Sequence, residues 1–98
     1  MKFISNTELK KMIVEKQDFQ LIDVREEYEY EDWNIGGENI PLGNILNKTD
    51  RISKEKPVVF CCKTGKRSAA MTHTLERKFG MTNLMTLRGG LESYQEIK

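Results

Sequence analysis

The 98-residue chain has no long apolar run, almost no surplus of charge, and only 2 cysteines, which sit side by side at Cys61 and Cys62. No stretch approaches the roughly 20 apolar residues that cross a bilayer. The start, MKFISNTELKK, lacks the apolar centre of a secretory signal. The 16 Lys+Arg and 15 Asp+Glu residues leave a net charge of +1. That balance offers no global field for nucleic acid or a membrane surface. Neighbouring cysteines cannot bridge separate parts of a fold, so the pattern fits a reducing cytoplasm better than a secreted, stapled scaffold. No repeat, low-complexity tract or interdomain linker breaks the chain, and its length leaves room for one core. Residues 1–98 are therefore read as one domain, with a monomer as the simplest expectation.

The most informative stretch is VVFCCKTGKRSAA, Val58 to Ala70. Val58 to Cys61 reads as a short buried strand. Cys62 opens a loop, Cys62-Lys63-Thr64-Gly65-Lys66-Arg67, and a helix is predicted from about Ser68. Backbone N–H groups of such a loop can converge on one point and form a nest for an anion. The dipole of the following helix adds to that field. Lys63, Lys66 and Arg67 bring three cationic side chains to the same place. All of these favour thiolate over thiol, so Cys62 is expected to be nucleophilic. Gly65 is expected to turn the backbone at positive φ with its amides inward.

The rest of the chain alternates strands and helices. Phe3 and Ile4 suggest a short edge strand. Ser5-Asn6-Thr7-Glu8 fits a capping box, and Leu9, Met12 and Ile13 share the inner face of a helix running to about Lys16. FQLIDV, Phe19 to Val24, reads as a buried parallel strand ending in the polar knot Asp23-Val24-Arg25-Glu26. Polar residues just past strand C-termini line the crevice of α/β folds. Asp23 is thus expected on the same edge as Cys62, paired with either Arg25 or Arg67. The acidic run Glu26 to Asp32 predicts the solvated face of a short helix, with Tyr28, Tyr30 and Trp33 packing inward. Gly36-Gly37 marks a turn and Pro41 the end of a short strand segment. A short helix is expected over Asn44 to Asp50. Met71, Leu75 and Phe79 lie on one helical face closed by Gly80, with His73 off that stripe and exposed. Leu84 to Leu87 is the last strand, Arg88-Gly89-Gly90 a turn, and Leu91 to Ile97 a terminal helix. Together these predict a three-layer α/β/α domain around a small, mainly parallel, doubly wound sheet of about five strands.

CKTGKRSAA resembles the active-site loop of rhodanese-like domains, which runs Cys, a basic residue, a small polar residue, Gly, any residue, Arg, Ser. LIDVREEYEY resembles that family's first block, and LRGGLESYQ its closing block, with Tyr94 where Trp is common. Asn34 to Leu42 resembles the second block in part: Gly36 and Asn39-Ile40-Pro41 are kept, while Trp33, Ile35 and Gly37 stand at the usual His, Pro and Ala positions. The resemblance implies sulfur transfer. Cys62 would take a sulfane sulfur from thiosulfate or a persulfide donor, carry it as a persulfide, and pass it to a thiol, cyanide or a protein acceptor. It also implies no metal and no organic cofactor. Lys63 and Lys66 would attract the anionic donor, Thr64 would offer its hydroxyl to the persulfide, and Arg67 would lock the loop, through Asp23.

One residue of register separates this reading from another. From Cys62 the spacing is Cys-x4-Arg; from Cys61 it is Cys-x5-Arg, the spacing of the phosphatases and arsenate reductases that work through a Cys-Arg loop. Gly65-Lys66-Arg67-Ser68 matches the rhodanese pattern at the offset from Cys62. The uninterrupted strand Val58 to Cys61 makes Cys61 a small hydrophobe in the sheet. A disulfide between the two neighbours would close a strained ring. A domain that only carries or docks a persulfide for a partner remains the other alternative.

Overall fold

The computed structural model describes residues 1–95 and places five strands and four α-helices in the order expected from the alternation of apolar runs. The elements are β1 (Lys2–Ile4), α1 (Asn6–Val14), β2 (Gln20–Asp23), α2 (Glu27–Asp32), β3 (Glu38–Asn39), β4 (Val58–Cys61), α3 (Lys66–Phe79), β5 (Leu84–Leu87) and α4 (Gly90–Gln95). All strand pairings are parallel and the sheet order is β1-β5-β4-β2-β3. β4 lies at the centre, buried at every position, between β2 and β5.

Successive side chains of a strand point to opposite faces. Along β4 this sends Val58 and Phe60 to one face and Val59 and Cys61 to the other. The first face packs with Ile22 and Leu84 against Met71 and Leu75 of α3 and against Ile45 and Ile52. The second packs with Leu21 and Leu87 against Leu9 of α1 and Leu91 of α4. The sheet is thus covered on both sides, and the α/β fold read from the sequence is the one observed. Cys62 continues the alternation and falls on the first face. The two neighbouring cysteines therefore belong to different cores, and both are free thiols.

Local signals place the ends. Ser5 caps α1, its hydroxyl accepting from the Glu8 amide at 3.0 Å while the Glu8 carboxylate accepts from the Ser5 amide at 3.2 Å. That is the reciprocal box the sequence predicts. Four expectations are corrected. Asn44–Asp50 is not an α-helix: Leu42–Asn47 and Thr49–Arg51 are 3-10 turns, in keeping with Gly and Asn among their residues. Helix α3 begins at Lys66, two residues before Ser68, with Gly65 as its cap. Phe79 is 46% exposed rather than core, because the last turn of α3 runs past the packed stripe that ends at Leu75. The terminal helix begins one residue early, at Gly90; its expected end at Ile97 lies outside the described residues. His73 is exposed, as its position predicts. Among the described residues no helix is long and apolar enough to cross a membrane.

Candidate active site

Parallel strands end on one edge, and the C-termini of β2 and β4 are neighbours there, with Asp23 in register with Cys61. The next residue of the β4 run, Cys62, leaves the ladder. Its sulfur turns back into the loop that leads to α3. The Gly65 amide donates to Cys62 Sγ at 3.1 Å and the Ser68 amide at 3.3 Å. Two N–H groups therefore meet the sulfur, one from the loop and one from the first turn of α3. Gly65 has φ of 96°, the left-handed backbone the sequence argument required. Lys63, Thr64 and Lys66 are exposed on the rim. Thr64 Oγ1 accepts from the Lys66 amide at 3.5 Å.

The loop is held from outside by the Gly89-Gly90 turn. The amides of Leu91 and Glu92 donate to the carbonyls of Cys62 and Lys63 at 2.8 and 2.9 Å. With those carbonyls turned outward, the loop can present amides inward. Gly90 makes this approach possible: a Cβ there would stand 2.4 Å from the Lys63 oxygen and 2.6 Å from the Gly65 nitrogen. Cys62 itself has no exposed surface. A cleft of about 410 Å³ opens beside the loop, lined by Arg25, Tyr28, Glu29, Trp33, Lys63 and Leu91 among others.

The ion pairs resolve the open pairing of Asp23. Asp23 pairs with Arg25, Arg25 Nη2 lying 2.8 Å from Asp23 Oδ2, and the side chains are 8% and 1% exposed. Arg25 also donates to the Trp33 carbonyl at 2.7 Å. This is a buried pair, not a surface one. It ties the end of β2 to the end of α2, and Asn39 strengthens the same junction by donating to the carbonyls of Asp23 and Arg25. Arg67 does not reach the loop through Asp23, which corrects that expectation. Its guanidinium forks onto Glu29, with Nη1 to Oε1 at 3.0 Å and Nη2 to Oε2 at 3.2 Å. The hydrogen bond from Arg67 holds the Glu29 carboxyl below its ordinary value, and the same bond raises the guanidinium. So the acidic run is not simply a solvated face: Glu29 anchors α3. Nor do all its aromatics pack inward. Tyr28 is 74% exposed, while Trp33 packs against the second core and Tyr30 donates to the Gly37 carbonyl at 2.7 Å.

Cys61 shares the burial of Cys62 but not its setting. Its carbonyl accepts from the Val24 amide at 2.9 Å, and it is fully buried. Burial, with Asp23 nearby, pushes its thiol well above the ordinary range. A family model described as Rhodanese-like domain matches residues 5–97.

The chain belongs to the rhodanese-like domain family. It is 41% identical to YqhL of Bacillus subtilis over 76 residues, which is 76% of this chain and 60% of that one. It is 28% identical over 84 residues to the Coxiella burnetii protein named Thiosulfate sulfurtransferase GlpE, covering 85% of this chain and 78% of that one. The crystal structure of SSP1007 from Staphylococcus saprophyticus superposes with a TM-score of 0.86 at 29% identity, over 96% of this chain and 93% of that chain.

Two residues of this rhodanese-like domain carry site contacts that sequence reasoning did not assign. Ser68 is fully buried, with its hydroxyl 3.6 Å from Cys62 Sγ. Thr86 of β5, also fully buried, lies 2.6 Å from the Ser68 hydroxyl. The available signal for Thr86 was a lone polar residue in an otherwise apolar strand, Leu84-Met85-Thr86-Leu87.

Proposed function

We propose that this domain is a sulfurtransferase that carries sulfane sulfur as a persulfide on Cys62. The observation that supports it most is the placement of Cys62 Sγ as acceptor of the Gly65 and Ser68 amides at the mouth of a six-residue loop. Donors fixed in advance around an anionic sulfur stabilise charge without reorganising during the reaction.

The chemistry balances with the residues present and a sulfane-sulfur donor whose leaving group takes the electron pair. The Cys62 thiolate attacks the outer sulfur of thiosulfate or of a protein persulfide. The sulfur–sulfur bond of the donor breaks, and sulfite or a thiolate leaves with the electron pair. The new terminal sulfur is then attacked by a thiolate, cyanide or a protein thiol, and Cys62 departs as thiolate. Lys63 and Lys66 on the rim draw the anionic donor toward the cleft, Thr64 stands at the loop for the terminal sulfur, and Arg67 braces α3 through Glu29 while Asp23 and Arg25 brace the neighbouring strand end. Because Cys62 has no exposed surface, uptake includes a local opening of the loop or its neighbours.

A phosphatase running from Cys61 has less behind it. That sulfur lies on the opposite face of the sheet from Cys62, and burial disfavours its thiolate. A carrier that passes sulfur to one partner shares the same chemistry and differs in turnover: fast loading from a persulfide donor with very slow cyanide turnover marks the carrier. The test of the central step is intact mass after incubation with thiosulfate or a persulfide donor. Wild type and Cys61→Ser gain one sulfur, released by cyanide, and Cys62→Ser gains none. Absence of sulfur on wild type with both donors, or phosphatase activity lost in Cys61→Ser and kept in Cys62→Ser, overturns the proposal.

A further inference from the structure

The partners of the two hydroxyls behind the thiol constrain which of them donates. Ser68 Oγ faces three groups: Cys62 Sγ at 3.6 Å, the Gly65 carbonyl oxygen at 3.2 Å and Thr86 Oγ1 at 2.6 Å. A hydroxyl has one proton to give and two lone pairs to receive with. The Gly65 carbonyl can only accept. Thr86 is fully buried, and its side-chain hydrogen bond among the described residues is the one to Ser68. A buried hydroxyl proton without an acceptor is costly, so Thr86 donates to Ser68 Oγ. The Ser68 proton is then excluded from Thr86 and has two acceptors, the Gly65 carbonyl and the Cys62 sulfur.

The state of Cys62 selects between them. As a thiol, Cys62 gives its own S–H proton to Ser68 Oγ, and the Ser68 proton rests on the Gly65 carbonyl. On ionisation the S–H proton leaves to solvent. Ser68 Oγ still accepts the hydrogen bond from Thr86, and its own O–H turns from the carbonyl to the sulfur. We propose that Thr86 is a positioning residue: by donating to Ser68, it supplies the Cys62 thiolate, and then the persulfide, with a third hydrogen bond beside the two amides. The persulfide part rests on the proposed function; the thiolate part does not.

Parallel register explains how a residue 24 positions beyond Cys62 reaches this place: Thr86 pairs with Phe60, two residues before Cys62 on the adjacent strand. The charged groups around the loop are Asp23 at the end of β2, Arg25 and Glu26 just past it, Glu29 and Asp32 on α2, Lys63 in the loop, Lys66 and Arg67 on α3, and Glu92 on α4. A Thr86 substitution alters none of them.

The test is a titration of thiolate ultraviolet absorbance, with Cys62→Ser as the blank. Cys61, whose thiol burial pushes up, is present in the blank as well, so the difference reports Cys62. Thr86→Val, nearly isosteric, leaves the Ser68 hydroxyl in place without the donor that fixes its direction, and displaces the curve to higher pH by up to the roughly half to one unit that the whole Ser68 hydrogen bond represents. Sulfur uptake at neutral pH falls roughly 3- to 10-fold by the same conversion. Thr86→Ser returns both to wild type. Ser68→Ala gives a similar displacement, and adding Thr86→Val to it produces no further one. A merely structural role for Thr86 would lower the unfolding midpoint without moving the titration. If Thr86→Val does not fold, as judged by circular dichroism, Thr86→Ala and Ser68→Ala carry the test. A folded variant of either residue whose curve overlays wild type overturns the proposal. If wild type takes up no sulfur yet Thr86→Val still shifts the curve, the sulfurtransferase reading fails while the role of Thr86 at the thiolate stands.

Discussion

The contact between Gly90 and the loop can be tested by adding one methyl group. Gly90→Ala places a Cβ 2.4 Å from the Lys63 oxygen and 2.6 Å from the Gly65 nitrogen, both backbone atoms. Reaching ordinary van der Waals separation requires the two segments to part by about 1 Å. Two costs add. Gly90 has φ of 68°, where an L side chain costs about 1–2 kcal/mol. Opening the contact strains or breaks the bonds from Leu91 and Glu92 to the loop carbonyls, each worth about 1 kcal/mol. The expected loss is about 3–4 kcal/mol, a large share of the ~5–15 kcal/mol typical of a domain. Urea unfolding measures it, and Gly80→Ala supplies the calibration. Gly80 has φ of 64° but open space at its Cβ position, so only the backbone cost of about 1–2 kcal/mol applies there. Gly43→Ala, with open space and no positive φ, is expected to be neutral or slightly stabilising, by at most about 1 kcal/mol. The variants also separate in function. Folded Gly90→Ala loads sulfur at least about tenfold more slowly, because the 1.4 kcal/mol this represents is less than the energy of the amide bonds it disturbs. Gly80→Ala loads as wild type. Gly90→Ala within about 0.5 kcal/mol of Gly80→Ala, well below the overpacking cost, would refute the claim that this turn shapes the loop.

The remaining predictions concern the ion pairs and the two thiols. Asp23→Ala strands the buried Arg25 guanidinium and should lower stability by about 3–5 kcal/mol in urea unfolding; a loss below about 1 kcal/mol would mean that the pair behaves as a surface one. Glu29→Gln should cost about 0.5–1 kcal/mol, since the Arg67 partner is 35% exposed and screened by solvent. Because folding lowers the Glu29 carboxyl, its contribution is full above the ordinary glutamate range and is lost as pH falls through the depressed folded value. Unfolding midpoints of wild type and Glu29→Gln should therefore differ at neutral pH and converge on acidification; a constant gap would point to packing instead. The mass measurements on Cys61→Ser and Cys62→Ser, and the titrations of Thr86 and Ser68 variants, test the chemistry as set out above.

What the sequence disclosed follows the range of the interactions. Strands and caps depend on neighbours a few residues apart, so the apolar run Val58 to Cys61, the Ser5 box and the left-handed Gly65 were all legible. The edge shared by Asp23 and Cys62 was legible too, because parallel strands end together. Pairing choices across the fold were not. Asp23 had two candidate cations, Arg25 beside it in sequence and Arg67 beside Cys62, and the choice between them rested on where α2 would place Glu29. The 3-10 turns over Leu42–Asn47 escaped because Ile45 and Leu46 give an apolar signal that does not distinguish i+3 from i+4 bonding.

The same reasoning explains why Thr86 was invisible as a site residue. Its hydroxyl matters only through the Phe60 register, which is a property of two strands far apart in sequence. A polar residue in a buried strand demands a partner, yet the sequence offers no means of telling a partner across the sheet from one along the chain. Here the partner is Ser68, at the first turn of α3, and the contact runs beneath the sulfur rather than above it. The loop thus presents Cys62 with amides fixed by backbone geometry and with one hydroxyl whose direction is set from β5. Removing a backbone donor takes a proline, which cannot adopt the φ of 96° at Gly65, whereas the hydroxyl is removed by a conservative substitution. Comparing the residual thiolate stability of Thr86→Val and Ser68→Ala with that of wild type therefore divides the stabilisation into its backbone and side-chain parts. If the amides dominate, the displacement stays within the roughly half to one unit of a single neutral hydrogen bond; a larger displacement would mean that the hydroxyl pair also orients the amides themselves.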